Sequence, residues 1–219
     1  CPPAPWAARA REVVLDPTAF WSLPPAAEDW APAVPAVPEQ WALVQCTSGS
    51  TRRAVAVVIT HGNLAHACRN IRVGFSSDGA RGADKDTGLS WLPLYHDMGF
   101  IGHVACPVWA NYAGGSAIMP PQSFLSDPAM WLLAADATRC TISGAPNFAF
   151  DLCSRSVLDE DLEGVDLSAW RVCYNGADHV HAATTTRFHA RFGRVGLPRR
   201  SCVPCYGLAE ATLFVSACT

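Results

Sequence analysis

Charge is scarce in this chain. Only 16% of its 219 residues are Asp, Glu, Lys or Arg, and the formal net charge is -3. A protein that grips nucleic acid needs a basic face to neutralise phosphates, and this composition gives no reason to expect one. Long apolar runs are missing as well: no uninterrupted stretch reaches the ~20 residues that a membrane-spanning helix requires. The N-terminus carries no basic stretch followed by an apolar run, so no signal peptide is visible, and a cytoplasmic protein is expected. A start methionine is also absent, because the chain begins at Cys1, and the expectation is a trimmed or incomplete chain. What remains plentiful is apolar residue, 50% of the total, which suits one α/β domain or lobe with a substantial core.

Cysteine is abundant, at ten. Cys46, Cys68, Cys106, Cys140, Cys153 and Cys173 sit singly inside apolar runs and read as small buried hydrophobes in a reducing compartment. Cys202 and Cys205 form a CxxC pair, and the histidines of His179-Val-His181 are candidates to complete a zinc site with it. A redox pair is the other functional reading of that CxxC, while chance spacing needs neither.

Residues 1–40 hold nine prolines and many alanines with little periodicity, so they read as a connector or surface-draped segment with Trp6, Trp21 and Trp30 as possible anchors. Residues 41–219 carry the ordered domain. Trp41–Cys46 reads as a buried strand that runs into the small-residue loop Thr47-Ser-Gly-Ser-Thr51. Val55–Ile59 is a second β-branched run. Thr60 is placed to N-cap a helix whose apolar face is Leu64, Cys68, Ile71 and Phe75. Strand-like runs at Leu89–Leu92, Ser116–Met119, Cys140–Ser143, Arg171–Tyr174 and about 202–206 then alternate with helical patterns over 98–112, 127–137, 146–157 and 182–193. That alternation predicts an α/β fold of layered, mostly parallel sheets with flanking helices. In such folds ligands gather at the loops after the strands' carboxyl ends.

Every sharp motif falls at such a place. Hydroxyls and a glycine after a strand, as in Thr47, Ser48, Gly49, Ser50 and Thr51, can wrap phosphate oxygens with backbone N–H groups and side-chain donors. Gln45-Cys-Thr-Ser-Gly-Ser-Thr51 followed by Thr60-His-Gly-Asn-Leu64 resembles the phosphate-loop signature of adenylate-forming enzymes. Leu92-Pro-Leu-Tyr-His-Asp-Met-Gly99, Ser143-Gly-Ala-Pro-Asn-Phe-Ala-Phe-Asp-Leu152, Trp170-Arg-Val-Cys-Tyr-Asn-Gly-Ala177 and Cys205-Tyr-Gly-Leu-Ala-Glu-Ala-Thr212 follow in the expected order. Together, from about residue 28 onward, they resemble the fatty-acyl-AMP ligase branch of that superfamily, as part of its large N-terminal lobe.

The resemblance implies a set of roles. Thr47 to Thr51 would touch the phosphates of ATP, and Glu210 would hold Mg²⁺ together with the Thr47 hydroxyl, since a hard cation needs oxygen ligands. Asn175, Gly176 and Ala177 would line the adenine, with Ser143, Gly144 and Ala145 as the facing wall and Tyr206 and Gly207 beside the purine or ribose. His96 would be the catalytic residue, donating to the acyl carboxylate or the α-phosphate, whereas Asp97 reads as a helix N-cap. Met98, Phe100, Ile101 and Phe148 are either an acyl tunnel or plain core. The implied substrate is a fatty acid, activated to acyl-AMP and handed to an acyl carrier protein.

The match breaks in two places. Where the family loop continues with glycine, any residue, proline, lysine and glycine, this chain has Arg52, Arg53, Ala54, Val55 and Ala56. Loss of one charged phosphate contact costs about 2–4 kcal/mol of transition-state stabilisation, and arginine differs from lysine in reach and geometry. Residues expected before the phosphate loop, a ribose-binding segment after Glu210 and a C-terminal domain with a catalytic lysine are also not in the sequence. Little or no acyl-AMP is therefore expected from this chain alone. The competing reading is a non-catalytic relic or nucleotide- or acyl-binding module.

Overall fold

The computed structural model describes residues 37–47, 55–75 and 86–218. The connector through residue 36 and the loop positions Ser48, Gly49, Ser50, Thr51, Arg52 and Arg53 lie outside the described residues.

Two sheets carry the fold. β1 (Trp41–Cys46) and β2 (Ala56–Thr60) form a two-stranded antiparallel ribbon. From β2 the chain turns directly into α1 (His61–Phe75). Thr60 caps it as its sequence position suggests: its hydroxyl oxygen accepts from the Asn63 N–H at 3.1 Å, and the Asn63 side chain accepts from the Thr60 N–H. The main sheet has six strands in the order β4 (Ser116–Ile118), β3 (Gly88–Ser90), β5 (Ile142–Ala145), β6 (Val172–Asn175), β7 (Cys202–Gly207) and β8 (Phe214–Ala217). The first five run parallel, and β8 returns antiparallel to β7.

Helices cover both faces, as a buried parallel sheet requires. On one face Tyr174 of β6 stacks on Phe75 of α1 at 5.4 Å and meets His103, so α1 and the 97–110 helix pack there. That helix is α2 (Asp97–Phe100), a π-helical turn (Ile101–Ala105) and α3 (Cys106–Ala110), ended by Asn111 in the left-handed region. After β4, a short α4 (Pro121–Ser126) leads to α5 (Ala129–Ala137), where the Asp127 carboxylate accepts from the Ala129 N–H. Trp131 of α5 is fully buried on the second face, with Trp170 at 5.1 Å and Phe150 of α6 (Asn147–Ser156) at 5.5 Å. Phe188 of α7 (Ala182–Phe192) closes that cluster.

Three expectations need correction. Trp41–Cys46 is not a buried strand: Trp41 is 70% exposed and Cys46 is exposed too. A two-stranded ribbon can be covered on one face only, and here Ile59 of β2 points to the core while Trp41, Val44 and Val58 face outward. An apolar run alone cannot distinguish the two cases. Cys46, read as a small buried hydrophobe, is the second: it is exposed at the end of β1. The strands flanking the small-residue loop form an antiparallel hairpin, which a mostly parallel fold accommodates. Cys202 and Cys205 also cannot act as one pair: three apart on a strand, they point to opposite faces. Cys202 lies in register beside Cys173, and Cys205 lies on the Tyr174 face. Among the described residues no group of three potential ligands gathers around any metal position.

One ion pair ties these parts together. The Arg171 guanidinium donates to both carboxylate oxygens of Asp86 at 2.7 Å and to the Phe75 carbonyl at the end of α1. The Thr141 hydroxyl also donates to Asp86, and the pair is largely buried, with side chains 15% and 3% exposed. Removing one partner strands the other in the core. Arg171→Met is therefore expected to lower the unfolding free energy by about 3–5 kcal/mol, measured by urea denaturation, with Arg171→Met/Asp86→Asn recovering part of the loss. A single-variant loss as small as that of an exposed pair, such as Arg139–Asp166, would show that the pair does not hold the sheet.

Candidate functional site

Three of the four later motifs end on neighbouring strands. Register pairs Ala145 with Asn175 and Asn175 with Pro204, so the loops after β5 and β6 and the carboxyl-terminal Tyr206-Gly207 of β7 lie side by side at one edge. Ala177 leaves β6 in a left-handed conformation (φ 64°) and is exposed, and Tyr206 is 61% exposed. Glu210 follows on the single turn Ala209–Ala211, exposed, and pairs with no described residue.

The glycines of these motifs serve the sheet. A Cβ on Gly144 would fall 2.2 Å from the Tyr174 carbonyl oxygen, and one on Gly176 would fall 2.5 Å from the Cys205 sulfur. Gly207 is packed against the Leu213 carbonyl, where β7 turns back into β8. Ser143 is likewise committed to the core: its hydroxyl accepts from the Trp131 indole N–H at 2.8 Å, and its carbonyl accepts from Trp170. The Ser143, Gly144 and Ala145 side-chain positions are all buried.

Asn175 is different. The His181 N–H donates to Asn147 Oδ1, which fixes that amide's orientation, and the same oxygen accepts from Asn175 Nδ2 at 3.2 Å. Asn175 Oδ1 is thereby left buried with no hydrogen-bond partner among the described residues, an acceptor waiting for a donor at the carboxyl end of β6. The exocyclic amino group of adenine is such a donor. The Thr47 hydroxyl and the Glu210 carboxylate are oxygen donors of the type a hard divalent cation takes.

The hairpin β1–β2 flanks the loop. Thr47 closes its base: its N–H donates to the Val55 carbonyl at 2.9 Å, and its hydroxyl oxygen accepts from the Val55 N–H. One hydroxyl hydrogen and one lone pair stay available. Gln45 of β1 donates its side-chain amide to the Tyr95 carbonyl at 3.0 Å, fastening the hairpin to the His96 segment.

His96, not Asp97, occupies the N-cap position of α2, with extended backbone (φ -99°, ψ 141°). Asp97 is the first helical residue, and its carboxylate still accepts from the Met98 N–H at 2.7 Å. His96 Nδ1 lies 2.5 Å from that carboxylate and so must carry a hydrogen; the longer 3.2 Å approach of the Met98 N–H to Nδ1 yields to it. Nε2 is thus the free ring atom of a half-exposed histidine. The hydrogen bond to Asp97 raises the His96 pKa above its ordinary value, partly opposed by burial.

Beside this edge lies an apolar cavity of about 50 Å³. Its lining includes Met98 and Gly102, Phe75, Tyr174, and Tyr206, Leu213 and Phe214 from the β7–β8 turn. Of the four tunnel candidates, Met98 alone lines it. Ile101 is core, Phe100 packs partly buried against the core, and Phe148 is 47% exposed near Trp91 and Phe124. Behind the cavity the Tyr174 hydroxyl meets His103 Nε2 at 2.5 Å. Burial pulls the His103 pKa down to about 4, so its ring stays neutral. Sequence reasoning missed Asn147, His103 and all of β8. The first two look like ordinary polar residues on amphipathic helices, and β8 is a short run that carries no turn signal of its own.

Comparison with known proteins gives the chain a family and relatives. The family model for AMP-binding enzymes matches residues 6–219. The medium-chain-fatty-acid–[acyl-carrier-protein] ligase TtuA of Teredinibacter turnerae is 41% identical over 181 residues, 83% of this chain and 27% of that protein. The long-chain-fatty-acid–AMP ligase FadD26 of Mycobacterium tuberculosis is 42% identical over 177 residues, 80% of this chain and 30% of that protein. Among solved structures, a fatty acyl-adenylate ligase from L. pneumophila, in complex with acyl adenylate and pyrophosphate, superposes with a TM-score of 0.76 at 39% identity, over 85% of this chain and 32% of its own. The chain spans less than a third of the length of these relatives.

The two histidines give a direct check on the site. In an NMR titration the His96 ring is expected to titrate above the ordinary value of about 6.5 and to fall toward it in Asp97→Asn. His103 is expected near 4 in both. The signs for stability are opposite. A raised His96 favours folding below the unfolded value and loses that contribution as pH climbs through its folded pKa. A depressed His103 makes the unfolded chain the better proton binder between about 6.5 and 4, so stability falls as pH drops through that window. A His96 midpoint indifferent to Asp97→Asn would remove the carboxylate as its cause.

Proposed function

The chain belongs to the AMP-binding enzyme family, and from that premise we propose that it is the ATP- and acyl-binding portion of a fatty-acyl-AMP ligase. The observation that carries the reading is the meeting of three motif-bearing strand ends with an apolar cavity. A nucleotide and an apolar acid would there sit side by side, with Tyr206-Gly207 shared between the two walls. The activities named for the relatives support the same class of reaction.

In this reading the loop Thr47, Ser48, Gly49, Ser50 and Thr51 holds the phosphates with backbone and hydroxyl donors. The orphaned Asn175 Oδ1 takes the adenine amino group, and the exposed backbone at Ala177 and the Tyr206 ring flank the base. Ser143, Gly144 and Ala145 support that wall from within the core. Thr47 and Glu210 would hold Mg²⁺, which would supply charge neutralisation. His96, pinned through Nδ1 to Asp97, offers Nε2 as a donor where the fatty carboxylate meets the α-phosphorus and negative charge builds. Positioning and charge neutralisation account for the catalysis, with acyl-AMP and pyrophosphate as products. The acceptor is the thiol of an acyl carrier protein, as the name of one relative suggests. The compartment is the cytoplasm; among the described residues no helix is long and apolar enough to cross a membrane.

A second reading has one observation in its favour: Arg52-Arg53 and Val55 stand where the family loop has glycine and lysine. A relic would keep the fold and lose the nucleotide. Calorimetric titration of the chain with ATP, with and without Mg²⁺, separates the two. Metal-dependent binding is expected, weakened about tenfold or more in Glu210→Ala, in line with loss of one charged ligand. Binding that ignores both the metal and the substitution, or no binding at all, favours the relic.

A further inference from the structure

Most described glycines near the cavity are spoken for. An added Cβ would strike Phe214 at Gly74, the Pro93 carbonyl at Gly99, Tyr174 at Gly144, Cys205 at Gly176 and the Leu213 carbonyl at Gly207, each at 2.7 Å or less. Gly102 is the exception. Its Cβ would meet only two atoms within 4 Å, Leu213 Cδ2 at 3.7 Å and the Tyr174 hydroxyl at 4.0 Å, both ordinary contacts. Both neighbours line the cavity, as does Gly102 itself. The bare Cα therefore looks into the cavity and not into packed protein.

The local backbone explains the aim. Gly102 is the second residue of the π-helical turn Ile101–Ala105, which sits between α2 and α3. A π turn holds one more residue per turn than an α-helix, so it re-aims the residues around it. Here it buries Ile101 and His103 and leaves Gly102 against the open space, with the Tyr174 hydroxyl held to His103 Nε2. The cavity is small: at about 50 Å³ it holds roughly four water-sized groups. A wall position without a side chain is then a large share of the room available.

We propose that Gly102 is the specificity-determining position for acyl length, the missing side chain being the space into which the far part of a long chain extends between Leu213 and Tyr174. This rests on the reading of the cavity as the acyl site. A methyl group at this position only completes the contacts with Leu213 and Tyr174, whereas a leucine fills the space beyond them. Leu213→Ala acts in the opposite sense by widening the same gap from the β7–β8 turn.

The test is calorimetric binding of octanoate, dodecanoate and hexadecanoate to the full chain and to Gly102→Ala, Gly102→Leu and Leu213→Ala, with thermal melting to confirm folding. Gly102→Leu is expected to weaken hexadecanoate at least about tenfold while changing octanoate little. Gly102→Ala is expected to keep the wild-type order, and Leu213→Ala to shift preference toward the longest acid. If wild type binds fatty acids but a folded Gly102→Leu keeps the same length dependence, the assignment to Gly102 is wrong and the acyl-site reading stands. Should Gly102→Leu not fold, an unchanged order in Leu213→Ala overturns the assignment in the same way. No binding of any of the three acids to wild type overturns the acyl-site reading and this inference with it.

Discussion

The buried pair of Asp86 and Arg171 is the constraint on which the rest of the arrangement depends. Arg171 leads into β6, the central motif-bearing strand, and reaches back to Asp86 just before β3 and to the last turn of α1. Asp86 also accepts from Thr141 at the start of β5. One carboxylate thus sets the axial position of three adjacent parallel strands at their amino ends. Parallel strands have no tight turn to fix their register, and a one-residue slip would move every side chain to the other face. With these amino ends fixed, the carboxyl ends of β5 and β6 arrive together, and β7 joins them through its parallel ladder with β6. A charged pair in the core is weak as a source of net stability but strict about geometry, and geometry is what this edge needs.

The motif glycines carry a packing constraint that the sequence reading did not name. Glycine after a strand suggests close approach by a ligand, and Gly144 and Gly176 fit that picture in the sequence. In the fold each is a place where the neighbouring strand comes too close for any side chain, with Tyr174 and Cys205 as the occupants. The identity of a residue was legible because the constraint is severe. Its source was not, because strand order is a property of the whole sheet. Asn175 runs the other way: its buried, unpartnered oxygen emerges only once Asn147 and His181, from a different helix, are seen to hold its amide in one orientation.

The fold class, the Thr60 cap and most helices were legible for ordinary reasons, since apolar spacing of three and four residues and a hydroxyl at the first turn are local signals. The failures are non-local. Nothing within Trp41–Cys46 says that its only strand partner is β2 and that its second face has no cover among the described residues. The CxxC spacing suggests a pair until the segment is a strand, where a separation of three puts the two thiols on opposite faces. His96 and Asp97 exchange the capping role by one residue. That slip is within the usual uncertainty of helix boundaries, and it changes chemistry because it decides which ring nitrogen is free.

The hairpin that flanks the small-residue loop stands apart from the main sheet. Among the described residues β1 and β2 pair only with each other, and no backbone ladder joins them to the six-stranded sheet. Their links are the direct run from β2 into α1, the Gln40 carbonyl accepting from His61, and Gln45 donating to the Tyr95 carbonyl. The last bond lands one residue before His96. The hairpin at the loop base is thus joined by one hydrogen bond to the segment that carries His96, while the pair of Asp86 and Arg171 ties the strands of the main sheet. The candidate site thus draws on strand ends that the parallel sheet positions and on a hairpin held to them by few bonds. One of those bonds joins the hairpin that ends at Thr47 to the segment of His96, so the two proposed contributors belong to one connected unit.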